Sequence, residues 1–287
     1  MQPTSRRIEA SDGLHLHVLE WSTEGVPMIL IHGFGNEAHI WDDFAPQVAE
    51  HYRVIAVSLR GHGDSDWDPE KRYDYTHHVT DLEAIAERLG IERMVLVAHS
   101  LGGRISMLYA GRHPERLAGL VIVDSAPELD ARGTTRIRME VAEHQAPVFS
   151  SIAEYESLLA HNYPAATPEA LKRMARNGLQ QSADGRYELK MDTAYRGKDG
   201  PQLGPEELAS REEEHTRNMW SALETLRCPT LVVRGAASDI MSPEVADRMV
   251  EEVLERGSLA IVPQAGHSVM TDNPDGFAEA VCDFVLA

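Results

Sequence analysis

Met94-Val95-Leu96-Val97-Ala98-His99-Ser100-Leu101-Gly102-Gly103 is the stretch that decides how this chain is read. The run Met94–Ala98 is too short for a helix and lacks in/out alternation, which is the pattern of a strand buried on both faces. Arg104–Gly111, just after it, is compatible with a helix. A sharp turn between such a strand and such a helix lifts Ser100 above the sheet. The backbone folds tightly there, so positions two before and two after the serine need small residues, and Ala98 and Gly102 supply them. The turn also sets a helix N-terminus beneath Ser100, where free amides can stabilise developing negative charge.

Further short apolar runs surround this one: Met28–Ile31, Val54–Val57, Leu120–Val123, Leu231–Val233 and Leu259–Val262. Each reads as a strand of a parallel sheet. His15–Trp21 alternates and reads as a half-exposed strand nearer a sheet edge. Helices separate the runs. Val79, Leu82, Ile85, Ala86 and Leu89 mark one helix face that ends at Gly90. Ser242-Pro243 opens a helix through about Leu254, and a last helix starts near Pro274 with Phe277, Val281 and Phe284 on one side. Strand and helix alternate, so the class is α/β with a mostly parallel central sheet flanked by helices. The alternation stops over about 127–226. Ser151–His161 and Pro168–Gly178 read as helices, the second capped by Thr167. Arg186–Asp192 reads as a short strand or extended turn, and Lys198–Pro205 as a Gly- and Pro-rich loop. The expected organisation is a core of 1–126 and 227–287 with a largely helical cap at 127–226.

Composition narrows the function classes. The 287 residues carry a formal net charge of −19, which disfavours nucleic acid and anionic membranes as partners. No apolar run reaches the roughly 18–20 residues that span a bilayer. No signal-like apolar segment follows the N-terminus, so the expected location is the cytoplasm. Cys228 and Cys282 lack metal-ligand spacing and read as buried thiols in a reducing compartment.

The small-x-Ser-x-Gly turn in its strand–turn–helix setting resembles the nucleophile elbow of the α/β-hydrolase superfamily, with Ala98 where the family usually has Gly. The resemblance spans nearly the whole chain outside the cap. It implies a serine nucleophile at Ser100, a histidine base and a carboxylate acid. His32-Gly33-Phe34-Gly35 follows an early strand, as the family's oxyanion loop does. The resemblance therefore assigns the Phe34 and Leu101 backbone amides to the oxyanion hole. Arg60-Gly61-His62-Gly63-Asp64-Ser65 resembles a family loop read here as structural, with Ser58 where an Asp usually stands. Of fourteen histidines, His267 holds the family position, in a Gly-His step after the last strand. Asp239, after the Leu231–Val233 run, holds the usual acid position; Asp124, at the end of the Leu120–Val123 strand, is the alternative acid.

The expected chemistry is cleavage of a small to medium, largely uncharged ester or lactone through an acyl-enzyme on Ser100, with no metal or organic cofactor. Alternatives on the same triad are C–C bond hydrolysis of β-diketone-type substrates, thioester hydrolysis and perhydrolysis. Outside enzymes, the fold also serves as a ligand receptor. The expected partner is a small-molecule substrate, and the oligomeric state stays open. Trp41, Met139, Phe149, Tyr155, Tyr163 and Trp220 are candidates for the substrate pocket, and Arg136 and Arg138 leave room for an anionic substrate group.

Overall fold

The computed structural model describes residues 2–143, 147–196 and 204–287. Its strands, in chain order, are β1 (Thr4–Glu9), β2 (His15–Glu20), β3 (Val26–Ile31), β4 (Tyr52–Val57), β5 (Met94–His99), β6 (Leu117–Val123), β7 (Val148–Phe149), β8 (Leu179–Gln181), β9 (Tyr187–Leu189), β10 (Thr230–Gly235) and β11 (Gly257–Val262). Eight of them form one sheet in the order β1-β2-β4-β3-β5-β6-β10-β11. β2 runs antiparallel to β1 and β4, and the other pairs are parallel. The carboxyl ends of β3, β5, β6, β10 and β11 therefore share one edge, where ligands meet a sheet of this kind.

The helices are α1 (Ala45–Val48), α2 (Tyr75–Arg88), α3 (Leu101–Arg112), α4 (Ala131–Glu143), α5 (Ile152–Asn162), α6 (Pro168–Asn177), α7 (Pro205–Thr225), α8 (Pro243–Asp247), α9 (Val269–Asp272) and α10 (Pro274–Val285). The central strands feed two cores. Ile29 and Ile31 of β3 pack with Leu82 and Ile85 of α2, whereas Met28 and Leu30 pack with Phe277 and Val281 of α10. Each such side chain, fully buried, contributes about 1.5–3 kcal/mol. That two-sided burial is why these strands read as unbroken apolar runs. Helix starts follow their capping residues: Asp74, Thr167 and Ser242 each accept a backbone N–H from the first turn of α2, α6 and α8. No helix among the described residues is long and apolar enough to cross a membrane.

One expectation needs correction. β2 is not a half-exposed strand. From Leu16 to Glu20 it is buried, with β1 covering it as the true edge. Its polar residues are buried because they are paired. The His17 ring lies within hydrogen-bond distance of Ser58 and Ser5, and Glu20 takes ion pairs from Arg6 and Arg53. Alternation of residue type thus reported alternation of face, not of exposure. The stretch 127–226 also holds a small antiparallel sheet, β7-β9-β8, beside its helices. Its last helix, α7, lies along α3 so closely that a Cβ on Gly111 would sit 2.7 Å from Ala222 Cβ. Met219 and Leu223 of α7 join the core beneath the sheet. The loop read at 198–205 falls largely on residues outside those described, with Pro205 opening α7.

Candidate active site

Ser100 stands between β5 and α3 with φ 52° and ψ −116°, a left-handed conformation costly for a residue with a side chain. Several bonds hold it there. Its N–H donates to Val123 O at 3.0 Å, and its carbonyl accepts from Ser125 Oγ at 2.7 Å and from the Arg104 N–H at 3.1 Å. The need for small neighbours is visible in space. A Cβ on Gly102 would lie 2.7 Å from the Ile31 and His32 carbonyls, and one on Gly103 would lie 2.6 Å from Ser125 Cβ. Any larger residue would push α3 off the end of β3.

His267 follows β11 and turns its imidazole to Ser100, with Nε2 3.0 Å from Ser100 Oγ. Its carbonyl takes a 2.8 Å hydrogen bond from His99 Nε2. Burial, then the neighbouring His267, pushes His99 down to about 3, so its ring is neutral and serves as a donor. The loop carrying His267 approaches the end of β10 so closely that a Cβ on Gly235 would lie 2.0 Å from Gly266 O. That approach puts the histidine over the acid.

The acid beside His267 is Asp124, which corrects the choice of Asp239. Asp124 is the residue after β6, fully buried, with φ 44°. Its Oδ2 lies 2.8 Å from His267 Nδ1 and accepts from Ser238 Oγ at 2.6 Å; its Oδ1 accepts from Gly235 N at 3.1 Å. Asp239 turns elsewhere. Its carboxylate forms a two-point ion pair with Arg136 of α4, at 2.7 and 2.9 Å. That guanidinium holds the Asp239 carboxyl below its usual range. The local reason is loop length. Asp124 comes one residue after its strand, whereas Asp239 comes four after Gly235. By then the loop has reached α4, where Gly133 N donates to Asp239 O. Ser238, beside Asp239 in the sequence, spends its hydroxyl on Asp124 across the fold, a contact that no local pattern announces.

The loop Gly33–Gly35 packs directly on the elbow: a Cβ on Gly33 would lie 2.7 Å from His99 Nδ1 and 2.9 Å from Ser100 Cβ. Phe34 and Ser100 border the same cavity. Leu101 opens α3, so its amide is one of the first-turn N–H groups that lack a partner inside a helix. The loop from Arg60 to Ser65 is a buried framework. Arg60 pairs with Asp81, Asp12 and Asp68, and His62 accepts Gly35 N–H at 3.2 Å.

A cavity of about 550 Å³ rises from Ser100 and His267 to α4, α5 and the loop after α5. Tyr155 lines it, as do Phe149 and Tyr163. Three pocket expectations fail. Trp41 is fully buried against Phe277 in the core. Met139 is 68% exposed on α4. Trp220 packs under Arg248 and donates to Glu128. All three were chosen for residue type, which does not distinguish a pocket wall from a core or an outer face. Arg136 borders the cavity, but its Nη1 binds Glu140 while its other nitrogens bind Asp239. Its charge is met inside the protein. Arg138 is exposed and not part of the wall. Ser100 also borders a second cavity of about 120 Å³, walled by Tyr75, Leu101, Arg104, Ser125, Leu129 and Ile240.

Comparison with known proteins agrees with this fold. The family described as alpha/beta hydrolase fold matches residues 26–274. A putative 2-succinyl-6-hydroxy-2,4-cyclohexadiene-1-carboxylate synthase of Bacillus subtilis is 26% identical over 284 residues, covering 98% of each chain. A 2-(acetamidomethylene)succinate hydrolase of Mesorhizobium japonicum is 25% identical, covering 99% of this chain and 95% of its own. Among solved structures, an alpha/beta hydrolase of Novosphingobium aromaticivorans superposes with a TM-score of 0.81 at 28% identity, covering 98% of this chain and 97% of its own.

Proposed function

The chain belongs to the alpha/beta hydrolase fold family, and on that premise we propose that it is a serine hydrolase cleaving a small to medium, largely uncharged carboxylic ester or lactone. The observation that carries the reading is the relay Asp124 Oδ2–His267 Nδ1 at 2.8 Å and His267 Nε2–Ser100 Oγ at 3.0 Å. It is assembled from three strand ends beneath a cavity with aromatic walls. His267 Nε2 takes the Ser100 proton as Oγ attacks the ester carbonyl. The Phe34 and Leu101 amides receive the oxyanion. As the intermediate collapses, His267 returns the proton to the departing alkoxide oxygen. Water then repeats the cycle on the acyl group. Asp124, accepting from three donors, fixes the tautomer that leaves Nε2 free as the base.

Within 127–226, α4, α5, α6 and the β7-β9-β8 sheet act as the cap. The larger arm of the ester occupies the 550 Å³ cavity and the smaller arm the 120 Å³ cavity on the other side of Ser100. The pairing of Arg136 with Asp239 and Glu140 supports an uncharged substrate on that wall, since this arginine has no unmet charge to offer, and Arg196 borders the same cavity. The test is a panel of p-nitrophenyl esters and lactones with wild type beside Ser100→Ala. Turnover that vanishes in the variant supports the mechanism, and turnover that persists overturns it. No turnover by wild type on any member overturns the ester reading and directs attention to C–C and thioester substrates.

A further inference from the structure

We propose that His32 and His62 are positioning residues for the oxyanion donor: two neutral imidazoles that clamp the Gly33–Phe34–Gly35 backbone so that the Phe34 N–H faces the reacting carbonyl. The inference rests on the serine-hydrolase reading above.

The hydrogen bonds fix both tautomers. Leu59 N–H donates to His32 Nε2 at 2.9 Å, so Nε2 carries no proton and Nδ1 does; that Nδ1–H donates to Gly33 O at 2.7 Å. Gly35 N–H donates to His62 Nε2 at 3.2 Å, so His62 is also protonated on Nδ1, which donates to Arg60 O at 3.2 Å. Gly33 C=O and Phe34 N–H belong to one trans peptide unit and point in opposite directions. Holding the carbonyl therefore aims the amide. A flip of this unit turns Gly33 ψ together with Phe34 φ, and Gly33 has no side chain to resist it, so the unclamped loop could turn an oxygen toward the oxyanion. The two rings grip the loop on either side of that unit, 5.2 Å apart in an edge-on arrangement.

Both side chains are fully buried. Burial pushes His62 down to about 4 and His32 well below its ordinary value, so both keep the lone pair that accepts the backbone N–H. The clamp reaches the cap. The Tyr195 ring packs 4.5 Å from His62, and its hydroxyl donates to the same Arg60 carbonyl that His62 uses. Gly63 N donates to Lys190 O, and Asp192 N to Gly61 O, joining the His62 loop to the segment that carries Tyr195. The cap and the oxyanion loop are thus tied to one imidazole.

The test compares His62→Phe, which keeps a ring and removes the acceptor, with His62→Gln, which keeps an acceptor. kcat and KM are measured on an ester that wild type turns over, together with the affinity for a trifluoromethyl ketone. That probe accepts Ser100 Oγ at its carbonyl carbon and becomes an oxyanion as the serine proton passes to His267. The clamp predicts a kcat loss of about 10-fold or more in His62→Phe, below the roughly 10²–10³ of a donor removed outright. KM should hold, the ketone should weaken by a similar factor, and His62→Gln should recover most of both. A folded His62→Phe with unchanged kcat and ketone affinity overturns the proposal, as does an equal loss in His62→Gln. If neither variant folds, nitrogen NMR of wild type decides. Nδ1–H tautomers at both histidines support the clamp, and an Nε2–H tautomer at either one overturns it. Persisting activity in Ser100→Ala would instead remove the underlying serine reading.

Discussion

Asp124→Asn separates the acid reading from its rival more sharply than any other single change. The buried carboxylate meets three donors: Gly235 N–H on Oδ1, and Ser238 Oγ–H and His267 on Oδ2. A carboxylate accepts all of them, whereas an amide presents one oxygen and one NH₂. If the NH₂ replaces Oδ1, it opposes the Gly235 N–H, and a buried donor goes unsatisfied at about 1–3 kcal/mol. If it replaces Oδ2, His267 must accept at Nδ1 and move its proton to Nε2. It then donates to Ser100 and is no longer a base. The cost of the unsatisfied donor disfavours the first orientation, and the second removes the base, so the expected fall in kcat is about 10⁴-fold, or roughly 5 kcal/mol of barrier. Asp239→Asn should behave differently. Its pair with Arg136 is partly exposed and contributes about 1 kcal/mol at most. Its kcat should stay within a few-fold of wild type, with any change falling on KM through α4. The assay is steady-state hydrolysis of an activated ester, with thermal unfolding to verify that both variants fold. A loss in Asp239→Asn matching that in Asp124→Asn would refute the reasoning, as would Asp124→Asn retaining a tenth of wild-type kcat.

Gly235→Ala should lower stability by about 1–3 kcal/mol or more and reduce kcat together, because its Cβ would press 2.0 Å from Gly266 O and displace His267; unchanged activity and melting temperature would count against it. Leu129→Phe should fill the 120 Å³ cavity and lower kcat/KM mainly for esters with a longer minor arm; a uniform loss across the panel would contradict the two-arm reading. Burial raises the Glu37 carboxyl from 4.5 to about 7, so the folded state holds a proton that the unfolded chain releases. That stability is fully present below pH about 4.5 and is lost as pH rises through about 7, on the order of 3 kcal/mol in all. Glu37→Gln should remove this slope, and parallel pH–stability curves for the two proteins would rule it out.

The sheet was legible because its central strands are buried on both faces by their own apolar side chains, a property that lies within each run. The elbow was legible for a similar reason: Ala98, Ser100 and Gly102 are close in sequence, and the packing that demands them follows from the turn itself. The acid was not. Asp124 and Asp239 both follow strands, and the choice depends on how β10 sits beside β6 and how Gly235 lets the His267 loop descend. No local pattern carries either fact. Helix caps at Thr167 and Ser242 could be read because capping is a contact within one turn. Of the β7-β9-β8 sheet only β9 could be, within Arg186–Asp192, since strands of two or three residues leave almost no periodicity. Trp41 and Phe149 are both buried aromatics. Only tertiary packing makes one a core residue and the other a pocket wall.

Strain and function coincide at the strand ends. Ser100, Asp124 and Gln264 all have positive φ, and they follow β5, β6 and β11. Such conformations cost about 1–3 kcal/mol each, so three of them are a substantial fraction of a domain's stability. Each lies where an extended strand must stop at once and turn a side chain or loop over the sheet edge. A relaxed turn would need more residues and would carry the group away, as it carries Asp239 to α4. The bonds that oppose the strain also build the site. Ser100 N–H binds Val123 O, Asp124 N–H binds Val233 O at 2.7 Å, and the Ser125 hydroxyl holds the Ser100 carbonyl. Adjacent strands thus hold each other's terminal residues in place. Relaxing any one turn by substitution should therefore move its neighbour as well, and losses in Asp124 and Ser125 variants should fall short of additive.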